Sequence, residues 1–181
     1  MRNITKRLSV WAVGIGLLLS IPLVLTLLGS GVDGDGWHWT AFDFIVIGAV
    51  LFSVGLTYEL IARKSNALVY RVAFGLGLLG ALLLFWVNGA VGIIGNEDNP
   101  ANLLYGAVFA VGLIGSLMAR FKPRGMARTL FTAAFVQMLI PAIALIFWNS
   151  SFAPDVVRVF VLNAGFALLF VISGLLFRRS S

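Results

Sequence analysis

An all-α, polytopic membrane bundle of six transmembrane helices is the fold that the sequence predicts, and three observations carry the prediction. Six apolar stretches fill nearly all of the 181 residues. Each has roughly the ~20 residues needed to cross about 30 Å of hydrocarbon at about 1.5 Å per residue. The composition, 60% hydrophobic and 11% charged with a mean hydropathy of +1.02, lies outside the range of soluble domains. The net charge of +6 comes from basic residues at the ends of the apolar stretches. That placement marks topology rather than a nucleic-acid surface.

Span one, 8–28, is uncharged and follows Arg2, Lys6 and Arg7. A secretory signal has the same basic start but an apolar core of only about 7–15 residues, so span one is read as a membrane helix. Spans two to six are expected at 42–62, 72–95, 103–119, 129–148 and 156–177, within one transmembrane domain covering 1–181. Pro22 and Pro141, inside spans one and five, are expected to kink them. An even number of spans puts both termini on one side. If that side is the cytoplasm, every basic residue except Arg158 lies inside, as the positive-inside rule requires. Trp37, Trp39, Trp86 and Trp148 then mark the outer interface, and Trp11 and Tyr70 the inner one.

The segment 48–63, GAVLFSVGLTYELIAR, aligns with 106–120, GAVFAVGLIGSLMAR, when one residue is dropped. Residues 167–179 repeat the ending, and Phe85-Trp86 and Phe147-Trp148 close spans three and five alike. The chain reads as three hairpins in parallel orientation, either by duplication or because apolar helices ending in arginine resemble one another. Small residues recur every four positions at Ala73, Gly77 and Ala81, at Gly106 and Ala110, and at Gly112 and Ser116. Helices are expected to pack closely there, most critically at Gly77 and Gly112. The GxGxxG of Gly75, Gly77 and Gly80 lies within an apolar span, not between a strand and a helix, and is set aside.

Polar residues at membrane depth are costly, which makes them the best pointers to function. The candidates for a ligand site or interface are Asn88, Gln137, Asn163, Asp43 and Arg158. The amides suit interhelical hydrogen bonds or a ligand, and Asp43 with Arg158 could pair. Glu59, four residues before Arg63, is expected to form a surface salt bridge, with a buried proton-carrying carboxyl as the alternative. Asp33, Asp35 and His38 have ligand chemistry for a divalent cation. The twelfth position from Asp33 is Phe44 rather than an acid, so a solvated loop is expected and no metal site is assigned. With no cysteine and one histidine, the chain offers no thiolate site and no two-histidine haem, and no cofactor is expected.

Residues 88–106, NGAVGIIGNEDNPANLLYG, are the least generic stretch. Gly89, Gly92 and Gly95 admit a close neighbour. Asn99 and Pro100 read as the N-cap and first residue of span four, with Glu97 and Asp98 suiting its dipole. The gathering of Asn88, Asn96, Asn99 and Asn102 is left over as a candidate binding surface. With ARFKPRGMAR at 119–128, this stretch resembles a group of uncharacterised bacterial multi-pass inner-membrane proteins, chiefly over spans three to five. The resemblance implies a bacterial inner-membrane setting and no activity. Lys122, Arg124 and Arg128, around a turn at Pro123 and Gly125, suit anionic headgroups or simple topology marking.

No catalytic motif surrounds Asp43, His38 or Glu59, so the chain is expected not to be an enzyme. The expected function is a non-enzymatic accessory, scaffold or subunit of a membrane complex. Its partners would be membrane lipids, with a larger membrane protein or a second copy, and no nucleic acid. The alternative is a small transporter or ligand-binding protein with its site in the outer half. The two differ inside: a transporter needs a watered cavity at Asn88, Gln137 or Asn163, and a scaffold is packed solid.

Overall fold

The computed structural model describes residues 4–28, 39–147 and 156–180. Among the described residues, six helical segments are long and apolar enough to cross a membrane. They are built from α1 (Ile4–Leu28), α2 (Ala41–Leu60), α3 (Leu68–Ala90), α4 (Gly106–Met118), α5 (Pro123–Phe147) and α6 (Val156–Arg179). The fourth span joins α4 to a preceding 3-10 helix, Pro100–Tyr105. Pro22 and Pro141 both lie within continuous helical segments.

The chain divides into two compact units, Met1–Lys64 and Ser65–Ser181. In the first, α1 and α2 pair antiparallel. Arg7 meets Glu59, a Cβ on Gly55 would lie 2.7 Å from the Trp11 ring, and one on Gly48 would lie 3.5 Å from Leu19. At the far end the Trp39 backbone N–H donates to Thr26 Oγ1 at 3.4 Å.

In the second unit α3 packs on α6, α6 on α5 and α5 on α4. The register is antiparallel at each step. Tyr70 stacks edge-on against Phe177 and Ser173 Oγ donates to the Ala73 carbonyl at 2.6 Å, while Gly80 lies beside Phe170. Gly174 lies under Phe131, and Gln137 bonds Asn163. This arrangement gathers Arg71, Arg120, Lys122, Arg124, Arg128, Arg178 and Arg179 at one end of the unit and the asparagine-rich segment at the other. Tyr70 ties the basic end together by donating to the Phe121 carbonyl at 2.7 Å.

Two boundaries differ from expectation for identifiable reasons. Span three, expected to run to 95, ends at Ala90, because Gly92 and Gly95 adopt φ of +67° and +72°. That left-handed region terminates a helix. Span five, expected from 129, begins at Pro123, which takes the first helical position instead of marking the turn. The turn itself falls on Arg120 and Phe121, with φ of 48° and 57°. Non-glycine residues rarely adopt that conformation.

Close packing also falls partly elsewhere. Gly77 is closely packed as expected, and its neighbour is Ser173, since a Cβ on it would lie 3.1 Å from the Ser173 hydroxyl, but a side chain at Gly112 would meet nothing within 4 Å. The tight glycine of α4 is Gly115, where a Cβ would lie 2.6 Å from Thr129. Gly115→Leu is therefore expected to destabilise by about 1–3 kcal/mol, the usual effect of overpacking. Gly112→Leu should leave the isolated chain unchanged. Unfolding in mixed detergent micelles checks both, and equal effects would contradict this assignment of faces.

Candidate functional site

The asparagine end of the second unit is built by a short non-helical segment. After α3, residues 91–99 turn back and bury Ile93 and Ile94, which are 1% and 0% exposed. Buried backbone away from a helix needs partners of its own. Asn102 supplies them. Its Oδ1 accepts from the Ile93 and Ile94 N–H groups at 3.1 and 2.9 Å. Its Nδ2 donates to the Ile94 and Asn96 carbonyls at 3.2 and 2.6 Å. Both donor and both acceptor positions of the amide are thereby used.

A side chain at Gly92 would overlap the Asn96 backbone, so that glycine is required by space as well as by φ. Asn99 caps the 3-10 helix, its side chain accepting from the Ala101 N–H at 3.0 Å, with Pro100 following as expected. Asn88, in the last turn of α3, donates to the Asn102 carbonyl at 3.3 Å.

A 3-10 helix has about three residues per turn, so Asn99, Asn102 and Tyr105 fall along one edge. Tyr105 is fully buried, and its hydroxyl donates to Asn163 Oδ1 at 3.0 Å. Gln137 Nε2 donates to the same oxygen at 2.9 Å. Asn163 Nδ2 in turn donates to the Val159 carbonyl at 2.7 Å. One amide thus joins the 3-10 helix, α5 and α6. Gln137 and Asn163, singled out from the sequence, are both 0% exposed and meet each other; Tyr105 is the member sequence reasoning missed. Among the described residues, Gln137 Oε1 and Asn88 Oδ1 are buried side-chain oxygens with no hydrogen-bond partner.

Asp43 has a local role. Asp43 Oδ2 accepts from the Thr40 backbone N–H and hydroxyl, each at 2.7 Å, while Thr40 Oγ1 accepts from the Asp43 N–H. This capping box starts α2. Arg158 is exposed in the first turn of α6 and belongs to the other unit. Asp33, Asp35, His38, Trp37 and Trp148 lie outside the described residues.

Glu59 corrects the expectation of a surface salt bridge. The pair with Arg63 is present at 3.2 Å, but the Glu59 side chain is 3% exposed and turned toward α1. There it also meets Arg7 Nη1 at 3.4 Å and accepts from Trp11 Nε1 at 3.2 Å. An acid in the last turn of a helix opposes the dipole, and two arginines offset that cost.

Comparison with protein families, curated sequences and solved structures returns no match for the chain. The class rests on the chain's own features, and the six long apolar helices among the described residues fit a multi-pass membrane protein.

Proposed function

We propose that the chain is a non-enzymatic accessory, scaffold or subunit of a membrane complex, seated in a bacterial inner membrane as three out-and-back pairs of spans with both termini cytoplasmic. The observation that carries this reading is the closure of the deep amides. Gln137 and Asn163 are completely buried and bonded to each other, so they clamp helices instead of facing a watered passage. The basic end of the second unit supports the orientation through the positive-inside rule. The bacterial setting rests on the resemblance carried by residues 88–106 and 119–128. An outward face suits a partner: Gly106, Ala110, Leu113 and Leu117 fall on one exposed side of α4, at spacings of four, three and four.

Native mass spectrometry of the protein extracted from its own membrane in lipid-preserving particles tests the reading. A stoichiometric protein partner is the expected result. A retained small molecule without a partner would sink it. In Gly106→Leu/Ala110→Leu, the chain should fold normally and lose that partner.

A second reading, a small-ligand binder or transporter, is favoured by the unpaired acceptors on Gln137 and Asn88. For Gln137→Met the clamp and ligand roles differ in ligand binding rather than in stability. As a clamp member, Gln137 gives up one hydrogen bond and one unpaired acceptor together, and stability should change by less than about 1 kcal/mol. Asn163→Leu strands the Tyr105 hydroxyl and the Gln137 amide, and should lose about 2 kcal/mol. Micelle unfolding measures both. Full stability with abolished ligand binding in Gln137→Met would establish the second reading.

A further inference from the structure

We propose that the basic end of the second unit carries a binding site for a phosphate ester borne on an apolar tail, the chemistry of an anionic phospholipid. A cleft of about 510 Å³ opens there between the start of α5 and the end of α6, lined by Arg124, Arg128 and Arg178 with Ala127 and Phe131. That volume lies within the usual range for ligand sites, about 300–1,000 Å³. Guanidinium groups match phosphate oxygens two at a time, while Ala127 and Phe131 supply apolar lining beside them. The combination suits a headgroup with the first carbons of its chains.

Topology marking explains why arginines lie at this end, but not why three of them, from two helices, line one cleft. Two features of α5 make the arrangement costly without an anion. Arg124 sits in the first turn, where the helix dipole disfavours a cation. Arg124 and Arg128 are four residues apart, so like charges share a face. Relief from within these helices is not at hand, because residues 99–147 and 156–181 contain no aspartate or glutamate. The unit's described acids, Glu97 and Asp98, belong to the opposite end. A phosphate between Arg124 and Arg128 removes both costs, and basic pockets between membrane helices recognise headgroups in this way. This inference stands independently of the accessory reading.

The test is native mass spectrometry of the purified full chain titrated with phosphatidylglycerol and phosphatidylcholine of identical acyl chains. The unaltered protein should retain phosphatidylglycerol at least about fivefold better, the equivalent of one arginine contact. R124Q/R128Q should weaken phosphatidylglycerol binding by about 30-fold, two such contacts. R120Q/K122Q removes equal charge at the same end outside the cleft and should change it by less than about threefold. R124K/R128K preserves the topology signal and should fall between the two; if R124Q/R128Q does not fold, a change under about twofold in R124K/R128K overturns the site. Equal loss in R120Q/K122Q, or no lipid preference in the unaltered protein, also overturns it. Glycerol 3-phosphate at about 10 mM separates the two sources of phosphate. Failure to displace the lipid is expected, and full displacement would assign the cleft to a soluble phosphate instead.

Discussion

Replacing Asn102 by leucine is expected to release residues 91–99 from the second unit while leaving α5 and α6 packed. Leucine matches asparagine closely enough in size that a cavity is not the cause. The cause is the simultaneous loss of four hydrogen bonds to the Ile93, Ile94 and Asn96 backbone. At about 1 kcal/mol each, and more where a buried group is left unpaired, the loss is about 4 kcal/mol. Amide hydrogen exchange at Ile93 and Ile94 should rise steeply, and micelle unfolding should report the same loss. Asn88→Leu is the comparison: it removes one 3.3 Å bond and one unpaired acceptor, and should cost less than about 1 kcal/mol. Unchanged exchange in Asn102→Leu would show that the fold-back holds itself.

The second large effect is expected at Glu59. In Glu59→Leu, Arg7 and Arg63 lose their shared carboxylate and Trp11 its acceptor. Breaking a fully buried pair costs about 3–5 kcal/mol. The two arginine side chains are 34% and 39% exposed and recover part of that through solvent, so about 2 kcal/mol is expected. Glu59→Gln keeps an acceptor for Trp11 and should lose about half as much. The chain has no cysteine, so Leu19→Cys with Gly48→Cys gives an unambiguous cross-link across α1 and α2. Its yield should fall in the order Glu59, Gln, Leu. An unchanged yield in Glu59→Leu would mean that Trp11 against Gly55 holds the pair unaided.

The six spans were legible because run length and hydropathy register directly in composition, and membrane thickness sets the length they need. Which side of each helix turns inward was not. Lipid is as apolar as a packed interior, so the pattern that separates core from surface in water is absent here. That is why Glu59 read as an outward residue, and why Gly112 read as a packing position where Gly115 fills the role. Helix ends were misread where the decisive residues carry ambiguous signals: Gly92 and Gly95 serve equally as approach points or stops, and nothing about Arg120 and Phe121 advertises a left-handed turn. At the candidate site, two amides stood out because an amide in hydrocarbon is rare. Tyr105 did not, since a tyrosine near a span end passes for an interface anchor. The signal that could have found it was the spacing of three through Asn99, Asn102 and Tyr105, which a 3-10 helix converts into a single edge.

The position of α6 between α3 and α5 has a consequence for biosynthesis. The Ser173 hydroxyl that meets Ala73 emerges from the ribosome 100 residues later. At about 5–20 residues per second, α3 therefore waits about 5–20 s in the bilayer before the helix that covers Ala73 and Gly77 is made. During that interval α4 and α5 can already pair across their short turn. The last helix then closes the unit from both sides, so the unit cannot be completed until the chain's final span has been made.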